Sequence, residues 1–198
     1  YLHNMEPYLF NLKAKDNWRH LRKPAKNPVV SGNSYPTHGL GPIAHWMGIN
    51  RGDRLTSLYS VSGGDFTLKQ AVKEVFGENS EYAKGYYKPD MNISIIRTAK
   101  NKTILLFYGT SLRRPYSRAY VLNGTKGFTE GYPQRFAFAP DFENDMSAKD
   151  IEKLLAKYRH PVYSHFEKAA RIFGGHGGMD YLVMRGFVEA VLNQTQTP

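Results

Sequence analysis

The pattern of apolar and polar positions changes period several times along the chain. "RLTSLYSVS" (54–62) alternates in the manner of a strand, with Leu55, Leu58 and Val61 as its apolar positions. "MNISIIRTA" (91–99) and "TILLFYGTS" (103–111) are rich in β-branched and aromatic residues. Only "KNK" separates them, which predicts a hairpin. "SRAYVLNGTKG" (117–127) adds a strand that stops at the Asn123-Gly124 turn signal, and "RFAFAP" (135–140) adds a further short one. Elsewhere the spacing is helical. Residues 42–49 place Ile43, Trp46 and Met47 on one face, with Pro42 at the first helical position, where a missing N–H costs nothing. Residues 67–76 turn Leu68, Ala71, Val72 and Val75 inward. Residues 147–158 start at Ser147 as N-cap, with Asp150 three residues later. Residues 164–173 predict another helix. Met179, Leu182, Val183, Phe187, Ala190 and Val191 form one apolar stripe on the last.

Residues 1–4 read as the end of a strand, and "QTQTP" (194–198) as a frayed tail. Residues 5–34 carry Pro7, Pro24, Pro28 and Gly32 and sustain no period, which predicts a long irregular segment. A loop and helix, then antiparallel strands, then helices make an α+β fold. The expectation is a mostly antiparallel, open β-sheet with helices on one face.

Composition narrows the chemistry. The 198 residues suit one domain and are 41% hydrophobic, enough for a sizeable core. No apolar run approaches the ~20 residues of a membrane helix, so no membrane partner is expected. With no cysteine, disulfides, zinc–thiolate sites and cysteine nucleophiles are excluded. The formal net charge is +10, and residues 97–126 hold seven basic residues and no acidic one. Such a block serves a nucleic-acid footprint, an anionic ligand or a solvated strand face. The charges are spread along predicted strands, which favours the solvated face, and no nucleic-acid partner is expected.

Several motifs invite a functional reading. "GLGPIA" (39–44) fits the G-x-G-x-x-G/A dinucleotide fingerprint, but no strand precedes it and no βαβ unit follows. Its glycines then serve a sharp turn into a helix. His38 falls just ahead of that helix, whose positive end favours a neutral imidazole able to accept a proton from a hydroxyl. "GGHGG" (174–178) is either an interhelical loop or a backbone wall beside a ligand. "RRPYSR" (113–118) sets Tyr116 between arginines, as a polar-ligand contact or a packing aromatic. Tyr1, His3, Trp18 and Arg19 are individually weaker candidates. Asp141, Glu143 and Asp145 lack the glycine of a calcium loop, so no metal site is expected.

At one stretch the residues become specific. "GNSYPTHGLGPIAHWMGINRGDRLTSLYSVS" resembles the central motif of glycoside hydrolase family 109, the NAD-dependent α-N-acetylgalactosaminidases of the Gfo/Idh/MocA oxidoreductase superfamily. "DMNISIIRTAKNKTILL", "RRPYSRAYVLNGTKGF" and "GGHGGMDYLVMRGFVEAVLN" match further family segments in the same order. The resemblance covers almost the whole chain. It implies that residues 1–198 are the substrate-binding C-terminal domain, without the N-terminal Rossmann domain that binds the cofactor. By itself such a domain is expected to be inactive. The implied partners are a carbohydrate substrate, that Rossmann domain and a second copy meeting through the sheet face. The resemblance makes a periplasmic or secreted location compatible and leaves localisation unknown.

The implied chemistry differs from that of a two-carboxylate glycosidase. NAD+ transiently oxidises the sugar C3 hydroxyl, a protein base removes the acidified C2 proton, and the C1 aglycone is eliminated. Water then adds, and the hydride returns. On this resemblance His38 handles the C3 hydroxyl proton, Tyr35 lies between nicotinamide and sugar, and Tyr1 is the base at C2. Tyr1, Arg19, Tyr35, Pro36, Thr37, His38 and Tyr116 hold the sugar, while Trp18 and Tyr35 border NAD. A phenol of unperturbed pKa about 10 must be lowered to act as that base, which Arg19 or the oxidised nicotinamide serves. Two alternatives stay open at this point: a sugar oxidoreductase with net redox turnover, and a non-catalytic carbohydrate-binding or oligomerising domain.

Overall fold

The computed structural model describes residues 2–3, 32–109, 111–131 and 134–196. Helix α1 spans Thr37–Trp46 and is followed by strand β1 (Leu55–Ser62) and helix α2 (Phe66–Phe76). Strands β2 (Asn92–Thr98), β3 (Thr103–Tyr108), β4 (Val121–Asn123), β5 (Gly127–Glu130) and β6 (Arg135–Phe138) come next. Helices α3 (Ala148–Lys157), α4 (Pro161–Phe173) and α5 (Met179–Leu192) complete the chain. Strands β1, β2 and β3 form a sheet in that order, and β4 pairs antiparallel with β5. The expected α+β class with open antiparallel sheets is what the chain adopts. It divides into two compact units, residues 1–134 and 135–198.

The first sheet sets the frame of the first unit. Its antiparallel register pairs Tyr59 with Ile95 and Ile95 with Leu105. Side chains alternate between faces, so Ile96, Ile104 and Leu106 point inward and are buried. Leu40, Ile43 and Met47 pack against those three, which lays α1 over that face. Toward Ser62 and Tyr108 the same face turns polar. Buried Asn92 donates to the hydroxyls of Ser60 and Ser62 and to the Val61 carbonyl, and accepts from Ser94. Satisfying all these groups within the sheet is what makes a buried asparagine tolerable there.

Two residues far apart in sequence lock α1 to the sheet. Lys102 donates to the Met47 carbonyl at 2.7 Å, closing the C-terminal end of the helix, and lies 3.3 Å from buried Asp53. Helix α2 has a core of its own, in which Leu68 and Val72 meet Ala83 and Tyr87, with Phe76 and Tyr82 beside them. Buried Asp90 accepts from the Thr67 and Leu68 amides at the start of α2, a cap delivered from another segment.

Several expectations are corrected. The first helix begins at Thr37, not at 42, because the Pro36 carbonyl takes the Gly39 and Leu40 amides at 3.0 and 2.7 Å. Pro42 therefore lies inside the helix, and His38 belongs to its first turn. Val75 is exposed, since residues 82–87 close over the ridge of Leu68, Val72 and Phe76. The strand expected between 117 and the Asn123-Gly124 turn is confined to Val121–Asn123, and β5 follows it as a second strand across that turn. Helix α4 starts at Pro161, with His160 Nδ1 capping the Val162 amide at 3.3 Å. The Gln194 and Thr195 amides bond back to Val191 and Ala190, so the tail stays tied that far. Of the segment expected to be irregular (5–34), residues 5–31 lie outside the described residues.

Candidate functional site

The site grows from the polar end of the first sheet. Tyr108 closes β3, and its hydroxyl lies 3.1 Å from that of Ser34. This ties the segment before α1 to the strand end. Asn33 accepts the Tyr35 amide at 2.9 Å, a local turn that aims Tyr35. The Tyr35 and His38 rings then meet, with centroids 4.7 Å apart and planes 32° apart. Tyr35 is 41% exposed and His38 half-buried, so the pair opens to solvent. Pro36 and Thr37, at the start of α1, bridge the two.

Gly109, next after Tyr108, brings a second group. The Gly109 carbonyl accepts the His3 amide at 2.8 Å, and Leu2 exchanges two backbone hydrogen bonds with Ser117. The His3 ring thereby meets Tyr116 edge-on, at 4.9 Å and 72°. Arg118 donates to the Tyr116 hydroxyl and sits over its ring at 5.7 Å. Tyr116 is 43% exposed, with the Arg118 guanidinium as its neighbour.

The structure thus links Tyr35, Pro36, Thr37 and His38 through Tyr108 and Gly109 to His3 and Tyr116. Tyr1, Trp18 and Arg19 lie outside the described residues. Sequence reasoning weighed His3 without placing it, had Arg118 as one of the arginines flanking Tyr116, and passed over Tyr108 and Tyr120. Tyr120 donates to the His38 carbonyl and sets its ring against Trp46. The signal for Tyr120 was Pro42, hidden by the misplaced helix start.

The other motifs resolve into packing. In "GGHGG", a β-carbon on Gly178 would sit 2.8 Å from that of Ala170, and one on Gly175 would sit 2.5 Å from the Asp180 carboxylate. That carboxylate meets His176 Nδ1 at 2.9 Å. Asp141 accepts from Asn144 and Glu143, and Asp145 pairs with Arg135 at 3.0 Å, which accounts for two of the acidic residues of that loop. Among the described residues no group of three metal-ligating side chains converges. Much of the basic block serves internal contacts: Lys102 with Asp53, Arg113 with Glu74, Arg118 with Tyr116. Among the described residues no helix is long and apolar enough to cross a membrane.

An imidazole and two exposed phenols, groups able to exchange hydrogen bonds with a hydroxyl, thus stand near one end of the first sheet. Comparison with known proteins gives the class as a domain of a glycosyl hydrolase family. The profile of "Glycosyl hydrolase 109, C-terminal domain" matches residues 9–198, and the chain belongs to that family. A glycosyl hydrolase family 109 protein of Solibacter usitatus is 37% identical over 98% of the chain. A protein of Shewanella oneidensis named alpha-N-acetylgalactosaminidase is 36% identical, also over 98% of the chain. The chain spans 43% and 42% of the length of these two relatives.

Proposed function

We propose that this chain is the substrate-binding part of an NAD-dependent glycosidase that hydrolyses α-N-acetylgalactosaminides by transient oxidation at C3 and elimination across C2 and C1. The observation that carries the reading is the Tyr35–His38 ring pair, in contact and open to solvent in a chain of the glycosyl hydrolase 109 family. The name of the Shewanella oneidensis relative, alpha-N-acetylgalactosaminidase, supports the sugar.

The site's make-up fits a nicotinamide. Tyr35 offers a broad exposed aromatic face, and the imidazole beside it can exchange a proton with a hydroxyl. NAD, held by Trp18 and Tyr35 together with the rest of the parent protein, supplies hydride acceptance and return at one sugar carbon. His38 accepts the proton of the sugar C3 hydroxyl and later gives it back. Tyr35 sits against both ligands and orients them. Tyr1 removes the proton at C2. Arg19, Pro36, Thr37 and Tyr116 hold the remaining sugar groups, and Arg118 fixes the Tyr116 hydroxyl. Such positioning converts an encounter into a reaction within one complex.

Two partners complete the proposal. One is a nucleotide-binding domain in the rest of the parent chain. The other is a second copy, covering the outer face of the first sheet, where Tyr59, Val61, Ile95, Leu105 and Phe107 are exposed.

The test is the full-length parent with a chromogenic α-GalNAc glycoside. Turnover is expected only with NAD+. His38→Ala and Tyr35→Phe should each lower it by about 10²-fold or more while leaving the thermal midpoint in place. Wild-type turnover in either variant, undiminished rates after NAD is stripped, or stoichiometric NADH build-up rejects the reading.

A further inference from the structure

We propose that Tyr120 is a positioning residue for His38. Its hydroxyl replaces the helix hydrogen bond that Pro42 cannot make. The inference rests on the role proposed for His38 above.

The reasoning starts from helix bookkeeping. In an α-helix each carbonyl accepts the amide four residues ahead. For His38 that residue is Pro42, which has no N–H and whose ring pushes the carbonyl four residues back away from the helix axis. A carbonyl left without its intrahelical donor needs another source. Tyr120 supplies one, donating to the His38 carbonyl from 82 residues away.

Little else in the local sequence stiffens this turn. Helix α1 reads "THGLGPIAHW", with two glycines and a proline in ten residues. Each glycine lowers helix propensity relative to alanine. The N-cap is Pro36, which gives no side-chain cap. A turn this weak holds its shape through tertiary contacts, and Tyr120 makes two of them. Besides the hydrogen bond, its ring packs edge-on against Trp46 at the far end of the same helix, at 5.9 Å and 75°. Tyr120 is itself anchored, because its carbonyl accepts the Gly131 amide at 2.8 Å. The backbone that carries the imidazole is thus pinned to the segment beside Tyr116.

Because a proline creates the need, removing the proline should remove it. The experiment compares wild type, Tyr120→Phe, Pro42→Ala and the double variant in the full-length parent. Tyr120→Phe should lower kcat roughly tenfold or more with little change in KM. It should also speed amide hydrogen exchange across α1. Pro42→Ala alone should leave both near wild type. In the double variant position 42 regains an N–H that can serve the His38 carbonyl, so most of the kcat and of the exchange protection should return. A Tyr120→Phe enzyme with wild-type kcat overturns the inference, and so does a double variant no better than Tyr120→Phe. If the parent shows no glycosidase activity at all, the proposed function falls. The exchange measurement then still decides whether Tyr120 and Pro42 act on the same carbonyl: rescue by Pro42→Ala supports it, and its absence overturns it.

Discussion

Asp53 shows how a single residue can hold two elements together through its charge. Burial opposes ionisation of its carboxyl, but the Thr98 hydroxyl, the Arg54 and Lys100 amides and the Lys102 ammonium outweigh it and hold the pKa down to about 2. An unfolded aspartate titrates near about 3.9, so the folded value is the lower one. The stabilisation is then complete above about pH 4 and is lost as pH falls through about 2. Asp53→Asn should be less stable than wild type at pH 7 and should lose less stability between about pH 4 and 2. Melting curves over that range check it, and equal slopes for the two proteins would sink the assignment. The same residue bears on the site, since Lys102 also closes the end of α1, the helix that carries His38.

At the scale of the element, the helices differ in where their definition comes from. Helix α3 is defined locally: the Ser147 hydroxyl accepts the Asp150 amide at 3.2 Å, and Lys153 lies 3.0 Å from Asp150. Ser147→Ala should lower stability by about 1 kcal/mol, read as reduced protection of α3 in hydrogen exchange. No change in α3 protection would mean that packing, not the cap, fixes its start. This helix was legible in the sequence because its cap and its apolar spacing agree. The β2–β3 hairpin was legible for a like reason, two β-rich runs around a short turn. The start of helix α1 was not, because a proline reads equally well as a first residue and as a tolerated interior one. What separates the two readings is whether a donor waits for the stranded carbonyl, and Tyr120 is distant in sequence. Val75 was misread because helical spacing names a face but not what covers it.

At the scale of the whole molecule, the first sheet has one covered and one uncovered face among the described residues. Strand alternation makes both apolar, and α1 covers only the side of Ile96, Ile104 and Leu106. Exposed apolar patches of this kind mark association surfaces. If a second copy covers it, Leu105→Lys should convert the parent from oligomer to monomer at fixed concentration, measured by sedimentation velocity. An unchanged mass removes the proposed contact. The sequence by itself determined the α+β class, the hairpin and most helices, because these follow from residue periods and local turn chemistry. It also carried the resemblance to family 109, since "YPTHGLGP" is contiguous. Only the tertiary structure decided that the Tyr35 and His38 rings meet, that His3 meets Tyr116 and that Tyr120 reaches the His38 carbonyl. The last of these joins segments 82 residues apart. No local pattern encodes such pairings, which arise when the sheet brings the strand ends together.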